Sequence, residues 1–569
     1  MSNFIWKYKQ HNQKEIDHIS EEFDIPTSIA TIMSLKSITN RDQSRSFFYN
    51  DINLLHDPLL MLDMDKAINR VITAKSNKQL ILIIGDYDAD GTTGASILYL
   101  YFKSINIDVE YYIPNRQTEG YGVSVNAINY ANKIGAHLII TCDCGITAVD
   151  QVEYAKQYNI DTIITDHHKQ KDILPRAFAI LNPNRHDCTY PFKGLCGAGV
   201  AFKLCMGINH ELGHDIEDVM QYSDLVAIAT TADVVPIIDE NRLIVKEGLK
   251  NIIAGRNRGI KALMKVSKLD FNSITVGKLG YWFIPKINAA GRLGDAARAV
   301  KLFTTTNPQF ANQIAIDLEN ENEKRKSITI QHENDAKRII NDSFDLSKDK
   351  IIIVYNDDWH FGVVGIVASR IKELYNRPTI VLTKEDGYYK GSCRSIPGYD
   401  IVNALHECAD ILENYGGHPM AAGLSVKEEK IKSFCNKLNK YSNENINDNL
   451  QPIISIDYEL RLSEINNRFI KFLEYLEPFG PGNPKPIFAT KNLNQFSDIQ
   501  LIGKDRETLK FTVYEDTASF DVIGFRMVEN YEKILSDKKL DIVYNIDKNY
   551  WNGQSSIQLV LKDVIYSDE

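Results

Sequence analysis

The segment LILIIGDYDADGTTG, residues 80–94, sets an unbroken apolar run against three aspartates at alternate positions, Asp86, Asp88 and Asp90, closed by Gly91. An EF-hand calcium loop begins with the same Asp-x-Asp-x-Asp-Gly spacing. That loop needs a bidentate Glu at its twelfth position, which here is Ile97, and a helix ahead of it, where this chain has the apolar residues 80–84. Five such residues in a row read as a strand buried on both faces. Carboxylates at the C-terminal end of a buried strand stand where open α/β sheets bind their ligands. The spacing therefore predicts a site with partners at other strand ends. Gly91 is expected to let the turn pass close to a bound group, before a helix that starts near Thr92.

The partners are present. VEYYI (109–113), HLIIT (137–141), DTIIT (161–165) and AFAIL (177–181) alternate with helical patterns from about 51 to about 305, the signature of a mainly parallel, doubly wound sheet. HLIITCDCG ends one strand on Asp143, and DTIITDHH ends the next on Asp166, His167 and His168. The helical run DLVAIATTADVVP delivers Asp233. Singly, a strand-end Asp is more often a helix cap and a His pair a surface feature. Together they make the donor set of a phosphoesterase. Hydrolysis of a phosphodiester requires its charge to be neutralised and a water to be ionised, which two divalent ions a few ångströms apart accomplish. Such a pair takes several carboxylates and imidazoles that stay neutral near pH 7. A mixed Asp/His set suits Mn²⁺, with Mg²⁺ as the abundant substitute.

Composition agrees with a globular chain: 569 residues, 44% hydrophobic and 10% aromatic, divide into roughly three or four domains. No apolar run approaches the ~18 residues of a membrane span, and the start MSNFIWKYKQHNQK has no signal-peptide core. The eight cysteines form no Cys-x-x-Cys pair, which predicts free thiols in a reducing compartment and no zinc site. A soluble, cytoplasmic protein is expected. The net charge of −10 argues only weakly against a polyanionic partner, since two divalent cations add four positive charges and a local basic groove is invisible to a whole-chain sum.

Five regions follow: a helical N-terminal extension (1–50), the α/β unit (51–308), a connecting helix (309–342) polar on most faces and free of Gly and Pro, a second α/β unit (343–440), and a terminal unit (452–569). The Asn-rich stretch 436–451 is the clearest linker. Short alternating strands after it read as a small β-barrel.

With DYDADG, the strand-end Asp143, DHH and TTADVVP in this order, the sequence resembles the DHH phosphoesterases. Further blocks, WFIPKINAAGRLGDA (282–296), DWHFGVVGIVASRI (358–371), GSCRS (391–395), GGHPMAAGLSV (416–426) and EPFGPGNPKPIF (477–488), are similar to the bacterial single-strand-specific exonucleases of that family. The resemblance covers most of residues 50–569. It implies a metal site of Asp86, Asp88, Asp90, Asp143, His167, His168 and Asp233, with Asp143 as the bridge. Asp90 and His168 are either ligands or groups that orient ligands or substrate, or serve as a general acid; Asp166 is expected to support the turn. It further implies a 5′-phosphate pocket of Arg116, Ser392 and Arg394, and substrate-phosphate contacts from Arg292 and His418. The barrel resembles an OB-fold, which stacks single-stranded bases on aromatics. Phe511, Tyr514, Phe520 and Phe525 are available with Lys504, Arg506, Lys510 and Arg526 nearby, and Tyr550 and Trp551 are the expected platform. Phe361, where the family mostly has Pro, and Cys393 depart from the usual pattern without removing a charge or a ligand.

The resulting expectation is a monomeric, two-metal (Mn²⁺ or Mg²⁺) 5′→3′ exonuclease that degrades single-stranded DNA to 5′-mononucleotides in repair and recombination. Expected partners are a single-strand-binding protein and a RecQ-type helicase. Two alternatives are a small DHH phosphodiesterase or oligoribonuclease, and a non-catalytic DHH scaffold. A separate barrel counts against the first. The filled ligand positions count against the second.

Overall fold

The chain enters on a strand, β1 (Ile5–Tyr8), and two helices, α1 (Gln13–Phe23) and α2 (Thr27–Leu35). The structure is a computed structural model that describes residues 4–49, 51–116, 118–270, 274–447, 450–503, 506–536, 539–551 and 554–566.

The run at 80–84 becomes β2 (Ile81–Gly85), followed by β3 (Val109–Tyr112), β4 (Leu138–Cys142), β5 (Asp161–Thr165) and β6 (Ala179–Leu181). All four pairings are parallel and the order is β3-β2-β4-β5-β6. Every residue of β2 and β4 is buried. Ile81 and Ile83 face one hydrophobic cluster while Leu82 faces another across the sheet, which is why these strands show no polar alternation. The strand order reverses between β2 and β4, so the crevice outside their C-terminal ends is the switch point where such sheets bind ligands. The helices that shape it are α3 (Ala89–Ser104), α4 (Gly197–Glu211), α5 (Ser223–Ala232), α6 (Asp239–Ala254) and α7 (Ile284–Leu293).

A single helix of 36 residues, α8 (Pro308–Ser343), connects this unit to the next. Contrary to the expectation of a helix solvated nearly all round, it buries a continuous stripe from Ala311 through Leu318, Asn322, Arg325, Thr329 and His332 to Ile340. The stripe packs against α7 on one side and the second α/β unit on the other. Its middle third is polar, so hydrophobicity alone does not reveal it.

The second unit holds β7 (Ile352–Asn356), α9 (Phe361–Tyr375), β8 (Thr379–Glu385), β9 (Tyr388–Arg394), β10 (Leu412–His418), β11 (Ala421–Lys427) and α10 (Ile431–Asn445), with sheet order β10-β11-β9-β8-β7. The Asn-rich stretch expected as a linker is helical to Asn445, because Phe434, Leu438 and Ser442 recur every fourth residue and bury one face. Phe361 is the first residue of α9, where proline and any other residue are equally free of a lost hydrogen bond. Cys393 is fully buried on the core side of β9, so its thiol faces away from Ser392 and Arg394.

β12 (Ile453–Ile456) pairs with β1. β13 (Tyr458–Glu459), β14 (Phe488–Leu493), β15 (Gln495–Ile502), β16 (Thr508–Glu515), β17 (Ala518–Phe525), β18 (Leu540–Trp551) and β19 (Gln554–Tyr566) form one sheet, ordered β13-β14-β18-β19-β17-β16-β15, the partly open barrel of an OB-fold. Its core, with Phe469, Phe488, Phe511 and Tyr544, also takes in Ile16, Ile19 and Ile32, so the N-terminal helices are built into the barrel. Of the expected aromatics, Phe511 is buried and Phe525 is exposed; Lys504 and the side chains of Tyr550 and Trp551 lie outside the described residues.

Arg242 on α6 joins the barrel to the first unit. Its guanidinium donates to the carbonyls of Phe47, Tyr475, Leu476, Glu477 and Pro478 at 2.7–3.3 Å and lies 3.9 Å from the Phe47 ring centroid. Among the described residues no helix is long and apolar enough to cross a membrane.

Candidate metal centre and substrate cleft

Asp86 follows directly on β2, and Asp88 caps α3 by accepting the N–H groups of Asp90 (2.9 Å) and Gly91 (3.1 Å). That cap starts the helix at Ala89, earlier than the expected Thr92. It also changes the reason for Gly91, which lies inside the helix: a Cβ there would come within 2.5 Å of the Asp86 backbone, so the glycine permits the first turn of α3 to pack on the strand end. Asp90 points the other way, its two oxygens accepting the N–H groups of Gly197 (2.7 Å) and Ala198 (2.8 Å) at the N-terminus of α4. A carboxylate there is favoured by the helix dipole and is held rigidly.

Asp143 follows β4 with φ of +62°, a left-handed conformation that Asp tolerates better than most residues. Asp166 follows β5 and is fully buried. It accepts four hydrogen bonds, from the N–H groups of Ile146 (2.9 Å), His167 (2.7 Å) and His168 (3.0 Å) and from His168 Nδ1 (2.8 Å), and so fixes the His168 ring and the backbone turn that carries both histidines. Asp233 is the C-cap of α5.

These elements bring all seven sequence-predicted metal-site residues together. Their donor atoms fall into three groups, each within 4.8 Å: Asp86, Asp88 and Asp143; Asp90, His167 and Asp233; and Asp143, His167 and His168. Asp143 and His167 each belong to two. His167 Nε2 stands 3.1 Å from Asp143 Oδ1, 3.6 Å from Asp233 Oδ2 and 3.8 Å from Asp90 Oδ2.

The electrostatics say what the cluster lacks. Burial, then the Asp88 charge, pushes Asp86 up to about 8; burial, then Asp90, does the same to Asp233. Asp88 and Asp143 are raised by burial and by neighbouring aspartates. Burial lowers His167, keeping its imidazole neutral. Asp86 Oδ1, Asp143 Oδ1 and His167 Nε2 are buried without a hydrogen-bond partner, a costly arrangement in a folded core. Buried oxygens that repel one another, faced by a neutral imidazole nitrogen, fit two divalent cations, which would supply the missing charge. His168 differs. Burial opposes its charge, but the bond to Asp166 and the surrounding carboxylates raise it to about 9.

The residues expected to contact phosphate stand on the loop after β3, on α7, and on β9 and β10 of the second unit. Arg116 lies 5.1 Å from the Tyr87 ring centroid, close enough to Asp86 to feel its charge. Arg292 on α7 is half-buried, donates to the Gly362 carbonyl (3.1 Å) at the start of α9, and is lowered to about 10, first by loss of solvent around its guanidinium and then by repulsion from Arg116. Ser392 and Arg394 project from one face of β9, with Arg394 Nη1 donating to Ser392 Oγ (2.6 Å) and Nε to Ser369 Oγ (3.1 Å). A Cβ on Gly365 of α9 would stand 3.2 Å from both Ser392 Oγ and Arg394 Nη2. Gly362 and Gly365 are one turn apart, so Arg292 and the Ser392–Arg394 pair flank the same face of α9. His418 and Arg394 both pair with Ala421, putting them on one row of the sheet two strand spacings apart, roughly 10 Å.

Three contributors were missed from sequence. Tyr121 hydroxyl reaches the Asp143 carbonyl (3.2 Å) and His168 Nδ1 (3.1 Å). Asn288 Oδ1 accepts the Ala89 N–H (2.9 Å), holding α3 against α7. Tyr87 underlies Arg116. Only Asn288 carried a signal, being four residues before Arg292 and therefore on the same helical face.

Comparison with known proteins follows the same three units. The DHH family, N-terminal domain, matches residues 80–230, the DHHA1 domain 348–444 and the RecJ OB domain 456–563. The chain is 34% identical over 570 residues to the single-stranded-DNA-specific exonuclease RecJ of Bacillus subtilis, covering 100% of this chain and 71% of the relative. It is 31% identical to that of Escherichia coli, covering 98% and 99%. Among solved structures, RecJ of Thermus thermophilus in complex with Mn²⁺ superposes with a TM-score of 0.83 at 24% identity, over 99% of this chain and 80% of that one. An exonuclease RecJ bound to manganese gives 0.60 at 30% identity, over 70% and 97%.

Proposed function

Since this chain belongs to the RecJ family of single-stranded-DNA-specific exonucleases, we propose that it is a metal-dependent exonuclease that shortens single-stranded DNA from the 5′ end and releases 5′-mononucleotides. The observation that carries this reading is Asp143: a buried carboxylate with an orphan oxygen, common to two donor groups, is the natural bridge of a two-ion site. Asp86 and Asp88 would hold one Mn²⁺ or Mg²⁺ ion, His167, Asp233 and Asp90 the other. When bound, the two ions supply charge neutralisation at the scissile phosphate and an ionised water.

The chain's own residues do the rest. Ser392 and Arg394, with Arg116 across the cleft, suit a terminal phosphate, the hydroxyl adding a donor to the guanidinium fork. Seating that phosphate sets how far from the end the cut falls. Arg292 neutralises the strand from the side opposite the carboxylates, and His418 adds a contact in the same row. Tyr121 and Asp166 hold His168, which would act as the general acid toward the leaving oxygen. The barrel, tied to the first unit by Arg242, extends the path for the strand.

A DNA single strand as substrate implies a helicase of the RecQ type to supply it and a single-strand-binding protein to meet it, which, with a monomeric state, complete the proposal. Eight free cysteines, seven of them buried, suit the reducing cytoplasm. The experiment is digestion with Mn²⁺ of single strands blocked at the 5′ or the 3′ end. The 3′-blocked strand should be shortened and the 5′-blocked strand left intact; equal attack on the 5′-blocked strand refutes the polarity.

A further inference from the structure

The polar middle of α8 holds a buried charge with no direct ion-pair partner among the described residues. Arg325 is 93% buried, and among the described residues its guanidinium donates only to neutral Asn322 Oδ1, from Nε at 3.3 Å and Nη2 at 3.0 Å. The cations around it are paired. Lys286 meets Glu319, Arg298 meets Glu321 (2.6 Å), Lys326 meets Glu323 (2.8 Å) and Arg370 meets Glu333 (2.7 Å). Among the described residues no carboxylate lies within ion-pair distance of Arg325. It is repelled by Arg370 on α9 and attracted by Glu323, whose carboxylate is bonded to Lys326, and it repels Arg292 on α7 in turn. Arg325 thus stands where α7, α8 and α9 converge, beside the arginine that faces the metal-site carboxylates.

Burying an unpaired cation next to another cation is expensive, and a residue needed only for packing would be cheaper as Met or Leu. Retaining the charge makes physical sense if an anion arrives. A guanidinium held flat by an amide at one edge leaves its other donors in the fork geometry that matches phosphate oxygens. Taking as given the reading that this cleft receives single-stranded DNA, we propose that Arg325 is a substrate-binding residue, which with Arg292 seats a backbone phosphate of the strand at the junction of the connecting helix and the two α/β units. The connecting helix is then part of the binding surface as well as a spacer. It senses the strand from a position that neither unit alone provides.

The test is binding of a 3′-fluorescein oligo-dT of about twelve nucleotides carrying a 5′-phosphate, followed by anisotropy in EDTA so that no cleavage intervenes, from ~50 to ~200 mM salt. Arg325→Gln should bind about tenfold more weakly. Its slope of log affinity against log salt should be shallower than wild type by ~0.7, the loss of one phosphate contact on a single strand. Arg325→Met preserves the aliphatic packing and serves if the Gln variant does not fold; it should show the same shallower slope. Because the charge is buried without a direct ion pair in the free protein, the Tm of these variants should be equal to or above wild type. A wild-type slope in both variants, or a lowered Tm with an unchanged slope, overturns the inference and makes Arg325 structural. Failure of the wild-type protein both to bind the strand and to release nucleotides from it in Mn²⁺ overturns instead the function on which the inference rests.

Discussion

Asp166 offers the sharpest energetic test of how the site is built, because it touches no substrate and yet four donors converge on it. Oδ1 accepts three of them and Oδ2 one, from Ile146. In Asp166→Asn the amide oxygen can keep the three, but the NH₂ then faces the Ile146 N–H. One orphaned buried donor costs about 1–3 kcal/mol, and loss of the ionic character weakens the remaining bonds, for a total of about 2–3 kcal/mol. Asp166→Ala strands all four donors and should cost about 4–6 kcal/mol. Urea titration of the metal-free proteins, with the m-value held constant, measures this directly. There is a pH signature too. His168 is raised to about 9 in the folded protein, above the ~6.5 of an ordinary imidazole, so its ion pair with Asp166 stabilises fully below ~6.5 and is lost as pH rises through 9. The stability gap between wild type and Asp166→Asn should therefore narrow from pH 6 to pH 9, without closing, since the backbone bonds persist. Metal affinity should fall ~10–100-fold because the His168 ring loses its anchor and the turn that carries His167 loosens. Wild-type stability for Asp166→Asn, or a gap that widens with pH, would refute the reasoning.

Two other perturbations probe the cleft and the domain junction. Gly365→Ala sets a methyl 3.2 Å from Ser392 Oγ and Arg394 Nη2, so KM for 5′-phosphorylated strands should rise severalfold while urea stability holds or improves, alanine being the better helix former by up to ~1 kcal/mol. Arg242→Gln removes a guanidinium shared by five carbonyls; unfolding of the barrel should separate from that of the first unit in calorimetry, with about 3–5 kcal/mol lost. A single unchanged transition would show that the junction holds without it.

The part of the fold set by hydrophobic period was legible in the sequence, and with it the site. A strand buried on both faces has to read as a continuous apolar run, and the aspartates after β2, β4 and β5 stand where such runs stop. Parallel pairing then brings Asp86 and Asp143 to adjacent strand ends with no further information. What stayed hidden was structure made by polar groups. The buried face of α8 runs through Asn322, Arg325, Thr329 and His332, and a pattern count scores those as solvent-facing. The Asn-rich stretch looked like a linker because composition outweighed the spacing of Phe434, Leu438 and Ser442. The sequence points Gly91 toward a close approach to a bound group, whereas the close approach it permits is to the Asp86 backbone. Tyr121 reaches the site from a loop after β3, at a distance in sequence that no local period encodes.

The central claim is that two cations bridged by Asp143 carry the chemistry. Asp143→Asn keeps the shape and tolerates the left-handed backbone, removing only the charge. Release of nucleoside 5′-monophosphates from labelled single-stranded DNA, with and without Mn²⁺, should be metal-dependent in wild type and should drop in Asp143→Asn by more than the ~100-fold of an outer-shell change, while the metal-free Tm does not fall. Wild-type rates of release by Asp143→Asn, or full activity of the metal-stripped enzyme, would contradict the claim.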